Sequence, residues 1–313
     1  MTAQPPLASI AQQLAELVAT VIREIRPQLI EAALSGDHSE SRNVRHADNF
    51  LSKYDLTLHK RYRELLTEVI PSYVYASEEA DPEVIGDDPD PDLCVLVDPL
   101  DTSEMAVRAL YGYTHVLVYS RRLARPIAAV VGDIFHHLQI YAAARDDDGQ
   151  ERAFLFTQDG TPHVLKLNRS APLAESLITN FSMKPSERFV PLAQQTGLIA
   201  ALSRPAAGGA SRGRIGVDFG SIGLCHIAAG FSDAMVEFAK GFATWDLAPG
   251  HYILQAAGGT VLDLEGRSIP LDYGFGSVAD ITKAMGQRYK FVAASSLRLA
   301  RDALSALSFA ERA

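Results

Sequence analysis

Four acidic positions or clusters in this sequence fall where a strand should end or a helix should begin. Asp98 and Asp101 flank Pro99 and Leu100 directly after the apolar run Leu93–Val97, and Asp246 stands near the head of the apolar stretch Trp245–Ala257. Glu78 and Glu79 follow the β-like run Tyr73–Ala76, and Asp55 opens a helical pattern. Carboxylates gathered from separate elements suit phosphoryl transfer to water. That reaction asks little covalent help of a protein; it needs divalent cations that bridge the phosphate, the attacking water and the leaving oxygen, and acids to hold them. Magnesium takes hard oxygen ligands and keeps several waters, so a few acidic side chains suffice.

The stretch from Asp98 to Leu110 carries the most information. Pro99 stiffens the turn and brings no competing N–H, while the Leu100 carbonyl between the two acids offers another oxygen. Thr102, Ser103 and Glu104 then open a helical pattern whose first N–H groups would form an anion site beside the acids. By itself the same stretch also reads as a helix capped by Asp101 or Thr102, with Asp98 in solvent. The other acidic clusters favour the metal reading.

Taken together, these segments resemble the inositol monophosphatase superfamily of magnesium-dependent, lithium-sensitive phosphatases. Val97-Asp98-Pro99-Leu100-Asp101-Thr102-Ser103 is similar to that family's Asp-Pro-(Ile/Leu)-Asp-Gly-(Thr/Ser) signature, and Trp245-Asp246-Leu247-Ala248-Pro249-Gly250 to its Trp-Asp-x-Ala-Ala-Gly. Ser77-Glu78-Glu79 resembles its Gly-Glu-Glu, Leu51-Ser52-Lys53-Tyr54-Asp55 its Val-Thr-x-x-Asp, and Phe291–Ser295 its last strand. The resemblance implies an α/β fold, a layered αβαβα sandwich with the metal site between two halves, here 1–171 and 172–313. It also implies two or three magnesium ions and a homodimer. Glu78, Asp98 and the Leu100 carbonyl would hold one ion, and Asp98, Asp101 and Asp246 a second. Glu78, with Ser103 and Asp55 in a relay, would orient the attacking water, and the N–H groups of Thr102, Ser103 and Glu104 would hold the phosphate.

Three positions depart from the pattern. Thr102 replaces a glycine where the backbone approaches phosphate and restricts the turn. Pro249 replaces an alanine, which a helix's first turn tolerates. Glu104 puts a carboxylate beside the phosphate, unfavourable unless it points away or binds a cation. Further along, Gly220 and Ser221 match a pocket-lining Gly-Ser-Ala run. Counting back from Asp246 places the family's hydroxyl-binding acid near Ala239, whose polar neighbours are Glu237 and Lys240; a lysine there suits a second anionic group.

These residues need a scaffold to position them. At 313 residues the chain can bury a sizeable core. A net charge of −9 argues against nucleic acid or an anionic membrane as partner, leaving a small phosphorylated metabolite. Cys94 and Cys225, each in an apolar run, read as buried free thiols. No run reaches the ~18 apolar residues of a membrane helix, so a cytoplasmic protein is expected. Ile10, Leu14, Leu17, Val18, Val21, Ile22 and Ile25 predict an amphipathic helix ending or kinking near Pro27. A second helix is expected over 56–70. Next come strands at 93–97, 114–120, 127–131, 138–143, 153–157 and 163–167, an antiparallel meander. From about Pro172, strands and helices alternate. The proline-broken acidic turn 86–92 reads as solvated loop rather than a calcium site. His136 and His137, adjacent in a strand, face opposite ways, and His251 reads as a helix-surface residue. Arg212 and Arg214 read as surface arginines. The expected activity is hydrolysis of an inositol, sugar, nucleotide or histidinol phosphate. The alternatives are a nucleotide 3′-phosphatase, if Lys240 faces the pocket, and an attenuated relative that only binds metal and phosphate.

Overall fold

A computed structural model describes residues 9–308 except 42, 46–48, 137, 147, 169–170 and 206–208. His137 therefore lies outside the described residues.

The chain opens with two helices, α1 (Ser9–Ser35) and α2 (Lys53–Val69). Leu14, Leu17, Val18, Val21, Ile22, Ile25 and Leu29 recur at helical spacing along α1, and all are buried. Of the end or kink expected near Pro27, the end does not occur: α1 runs two turns beyond it. Pro27 and Arg23, whose carbonyl loses its intrahelical donor, both lie on the exposed side, where water can take the donor's place. Leu29 and Ala32 extend the buried stripe past the proline.

An eight-stranded sheet follows. Its strands are β1 (Tyr73–Ser77), β2 (Ala80–Ile85), β3 (Leu93–Asp101), β4 (Tyr113–Ser120), β5 (Arg125–Asp133), β6 (Leu138–Arg145), β7 (Glu151–Thr157) and β8 (Pro162–Leu165), with the one-turn helix α3 (Ser103–Ala106) after β3. The spatial order is β2-β1-β3-β4-β5-β6-β7-β8, antiparallel throughout except for the parallel pair β1 and β3. Strand β2 escaped the sequence reading because its acids and Pro82 mask any apolar alternation; it is an edge strand, where such residues are tolerated.

The second half contributes β9 (Leu177–Asn180), short helices α4 (Val190–Ala193) and α5 (Thr196–Leu202), β10 (Arg214–Val217), α6 (Gly220–Ala228), β11 (Ala234–Ala243), α7 (Thr244–Ala256), β12 (Thr260–Leu262), α8 (Val278–Met285), β13 (Arg288–Ala294) and α9 (Leu297–Ala306). Its five-stranded mixed sheet has the order β10-β9-β11-β13-β12.

Side-chain alternation along the strands sorts these elements into layers. Tyr73, Tyr75, Val95, Val97, Val116 and Val118 pack against α1 and α2, while Val74, Ala76, Cys94, Leu96, Leu117 and Tyr119 face α6 and α7. The far side of α6 and α7 meets Met235, Phe291 and Ala293 of the small sheet, whose outer face is covered by α5 and α9. The result is helix, sheet, helix, sheet, helix: the αβαβα sandwich that the sequence implied. Both cysteines are buried free thiols. Among the described residues, no helix is long and apolar enough to cross a membrane.

The middle layer is the tightest. Ser221 Oγ donates to the Asp246 carbonyl at 2.8 Å and accepts from the Gly250 N–H at 2.9 Å, lacing α6 to α7. A Cβ on Gly250 would lie 2.4 Å from the Ser221 carbonyl oxygen, so the helices can approach this closely only without a side chain there. Gly250→Ala should therefore cost about 1–3 kcal/mol in urea unfolding; a loss below about 0.5 kcal/mol would show that the α6–α7 contact yields easily.

Candidate active site

Strand β3 carries two of the acids. By alternation Asp98 follows Leu96 onto the face toward α6 and α7. The register against β4 then shifts between Asp98 and Asp101, a bulge at Pro99-Leu100 that brings Asp101 back to the same region. Thr102 follows at φ +65°, in the left-handed region, where a β-branched residue costs roughly 1–2 kcal/mol. Its Oγ1 donates to Asp101 Oδ1 at 3.1 Å, so the strained residue also holds the acid. Met105 and Ala106 N–H close on the Thr102 carbonyl, while the first N–H groups of α3, at Ser103 and Glu104, have no intrahelical acceptor.

The other acids come from element ends. Asp246 is the third residue of α7 and accepts from the Ala243 N–H at 3.3 Å. Glu78 occupies the β1–β2 turn, with Asn49 Nδ2 donating to its Oε1 at 3.1 Å. Asp55 sits in the first turn of α2, where its Oδ2 accepts from both the N–H and Oγ of the N-cap Ser52 at 2.7 Å. Its other oxygen lies 2.5 Å from Ser103 Oγ, which is also 2.8 Å from the Leu100 carbonyl. The structure thus joins Ser103 to Asp55 and places both beside Leu100.

Burial and mutual repulsion dominate the electrostatics. Desolvation drives Glu78 and Asp98 well above the carboxylate range; Asp246, Glu79 and Asp55 raise Glu78 further, and Glu78, Asp101 and Asp246 raise Asp98. Asp101 is pushed up to about 8 by burial and then by Asp246. Asp246 and Asp55 are raised by burial, although hydrogen bonds from Ser103 and Ser52 oppose the shift at Asp55. Glu79, raised to about 7 by burial and by Asp55, stands beside them. Both oxygens of Asp98 and Oδ2 of Asp101 are buried without a hydrogen-bond partner. Carboxylates so placed, repelling one another and lacking donors, have the donor set and the unmet need that fit divalent cations. Glu78, Asp98, the Leu100 carbonyl, Asp101 and Asp246 are the groups able to hold them. His115, which the sequence reading did not single out, lies among them on β4, fully buried; desolvation pushes its imidazole down to about 3, only partly opposed by the Trp245 main chain.

These groups open into a cleft of about 140 Å³ lined by Glu78, Leu100, Asp101, Thr102, Ser103, Glu104, Gly220, Lys240 and Asp246, all sequence candidates. Two larger hollows elsewhere gather no comparable group of acids. Gly220 must be glycine, since a Cβ would sit 2.2 Å from Asp101 Oδ2. Glu104 pairs with Arg108 at 2.9 Å, which answers the charge problem it posed. Four candidates do not line the cleft: Asp55 and Asp98 are buried, joined to the site through Ser103 and Asp101, whereas Ser221 and Glu237 are engaged elsewhere. Ser221 is spent on the α6–α7 junction. Glu237 is fully buried, one oxygen accepting from the N–H groups of Ala239, Lys240 and Gly241 and the other from Arg188 Nε at 2.8 Å, so it shapes the β11 bulge and offers substrate no free oxygen. Lys184, Arg188 and Arg288 also line the cleft and were missed, because nothing in their local sequence separates them from surface cations. Arg188 is held by Phe181, 4.3 Å from its guanidinium, and by Phe242 at 5.7 Å. Arg212 and Arg214 stay outside the cleft lining. His136 pairs with Asp133 at 2.8 Å. His251 is a correction: it is buried, with Nδ1 2.7 Å from Tyr273 Oη, because α7 is covered on all sides.

The family model described as the inositol monophosphatase family matches residues 3–300. No curated protein matches the chain by sequence. Among solved structures, a Leishmania major fructose-1,6-bisphosphatase in holo form superposes with a TM-score of 0.67 at 13% identity, covering 97% of this chain and 96% of that one. SuhB from Mycobacterium tuberculosis gives 0.62 at 20% identity, over 95% and 93%. A calcium-bound inositol monophosphatase family protein from Staphylococcus aureus gives 0.66 at 14%, over 95% of each chain. At these identities the likeness is one of fold.

The raised acids carry a stability cost with a definite sign. An acid whose folded pKa exceeds its unfolded value of roughly 4 weakens the fold as pH climbs through that window, which for Asp101 extends to about 8. In metal-free protein, Asp101→Asn should therefore raise the melting temperature by ~2 °C or more at pH 8, with the gain shrinking toward pH 5. Magnesium should stabilise the wild type and leave this variant nearly unmoved. A variant less stable than wild type at pH 8 without metal would contradict the repulsion described here.

Proposed function

This chain belongs to the inositol monophosphatase family, and from that premise we propose that it is a magnesium-dependent phosphatase acting on a phosphate monoester of a small soluble molecule. The observation that carries the reading is the convergence of Glu78, Asp98, Asp101 and Asp246, from one strand, one helix and a turn, at the floor of one cleft, where Asp98 and Asp101 have buried oxygens that lack partners. Divalent cations bound there supply neutralisation of the phosphate, activation of water and stabilisation of the leaving oxygen.

The chain's own groups do the rest. Glu78 and the Ser103–Asp55 pair orient the attacking water and take up its proton; burial raises both carboxylates and suits them to accept one. Ser103 Oγ has a single proton, shared between Asp55 and the Leu100 carbonyl, so its lone pairs remain to receive a hydrogen from water. The Ser103 and Glu104 N–H groups bind the phosphate oxygens. Thr102 already holds the left-handed conformation that a glycine would allow, which speaks against an attenuated, binding-only relative.

Opposite the acids, Lys184, Lys240 and Arg288 line the cleft. This charge pattern favours a substrate with a second anionic group, such as a sugar bisphosphate or a nucleotide bisphosphate, over a bare polyol phosphate. Lys240 is paired with the exposed Glu187 at 3.0 Å, a contact that a substrate anion would replace at small cost.

Phosphate release from sugar, inositol and nucleotide mono- and bisphosphates, with and without magnesium, tests the reading. Turnover should require magnesium, and Asp246→Asn should abolish it while leaving the fold intact; near-native turnover in that variant would remove Asp246 from the metal set. Lys240→Ala should raise KM for a bisphosphate roughly tenfold and leave that for the matching monophosphate unchanged. An equal rise for both would remove the second-anion subsite.

A further inference from the structure

Asp98 and Asp101 share their pocket with an imidazole to which the phosphatase reading gives no role. His115 stands directly across the β3–β4 ladder from Asp98, in register, so the two side chains project from the same face of the sheet toward α6 and α7. The bulge at Pro99-Leu100 delivers Asp101 to the same point. His115 Nε2 lies 3.3 Å from Asp101 Oδ2, and Nδ1 lies 3.8 Å from Asp98 Oδ2. One ligand atom from each of the three residues falls within 4.8 Å of the others, a grouping that no other set of described residues was found to match. On the open side a Cβ at Gly220 would reach within 3.4 Å of His115 Cε1, so the missing side chain leaves room beside the ring.

These atoms are short of partners. His115 is fully buried and, beyond the Trp245 main chain, its ring finds no hydrogen-bond partner; both oxygens of Asp98 and Asp101 Oδ2 have none. Buried polar groups are nearly always paired. Three unpaired carboxylate oxygens and, since the two nitrogens of one ring point apart, one imidazole nitrogen face a common point, and a cation that takes both oxygen and nitrogen donors would answer them. We propose that His115 is a direct ligand of the divalent cation held by Asp98 and Asp101, giving this chain a mixed oxygen and nitrogen centre. Imidazole suits zinc, iron, copper and nickel; manganese favours oxygen but, as a transition metal, takes an imidazole more readily than magnesium, which keeps to hard oxygens. Such a centre prefers the transition metals, and magnesium becomes the weaker occupant. The inference rests on the phosphatase reading only in requiring a cation at Asp98 and Asp101.

The test adds manganese alone to the full-length, metal-stripped protein and follows it by pulsed electron paramagnetic resonance. A directly bound imidazole imposes nitrogen modulation on the manganese signal; this is expected in the wild type and should be absent in His115→Gln. Manganese binding without nitrogen modulation in the wild type overturns His115 as a ligand and leaves the cation site standing. No manganese binding at all overturns both. Competition titrations supply a second arm: the ratio of manganese to magnesium affinity should fall about tenfold or more in His115→Gln, and an unchanged ratio overturns the proposal. The wild-type spectrum decides the matter even if the variant fails to fold.

Discussion

The gathering of carboxylates in one cleft constrains much of the rest of the molecule. Glu78, Asp98, Asp101 and Asp246 are forced together against their own repulsion and against the loss of water. Such an arrangement collapses or opens unless rigid elements hold it, because each acid gains by moving away. Three of the four are accordingly seated on regular structure, with Glu78 in a tight turn between paired strands. Asp98 and Asp101 belong to a strand buried in the middle of the larger sheet, and Asp246 belongs to a helix enclosed between two sheets.

The devices that aim the acids are local and mostly irregular. A two-residue bulge turns Asp101 toward Asp98. A threonine in left-handed conformation ends the strand and donates to Asp101. Ser52 caps α2 and at the same time orders Asp55, which then orders Ser103, so a helix cap and the proposed relay are one network. Gly220 gives Asp101 the space a side chain would take, and Gly250 lets α7 approach α6 closely enough to bring Asp246 within range. The bulge at Pro99-Leu100 and the left-handed Thr102 sit at the cleft, where strain is retained when the surrounding structure over-determines it.

How much of this was legible in the sequence follows from the range over which each signal acts. Asp98, Asp101, Asp246 and Glu78 stand at junctions between apolar runs and breaks, so composition and spacing exposed them. Strand alternation and helical periodicity repeat over many residues and mark the first helix, the meander and the alternating second half, whereas the stacking into an αβαβα sandwich was implied only by the family resemblance of the motifs. The contribution of His115 depends on strand register, which a single β-strand does not reveal: in Tyr113-Thr114-His115-Val116 it reads as a lone polar residue in an apolar run. Glu237 misled because its position relative to Asp246 suggested substrate contact, whereas the β11 bulge turns three N–H groups onto it and Arg188 completes its burial. At Pro27, where the sequence left an end or a kink open, tertiary packing of Leu29 and Ala32 carries the helix through.

The basic side of the cleft is bound up with the acidic floor rather than being a separate feature. Arg288 and Arg188 both pull Asp246 downward against the burial that raises it. Arg188 in turn is fixed by Glu237 and clasped by Phe181 and Phe242, so its charge is set by the β11 bulge and the aromatic wall together. The same cations that would receive a second anionic group of the substrate therefore help keep Asp246 ionised for metal. An anion binding at the rim draws field away from Asp246, while a cation at the floor replaces it. A phosphate and a cation bound there would thus be linked through the charge on Asp246.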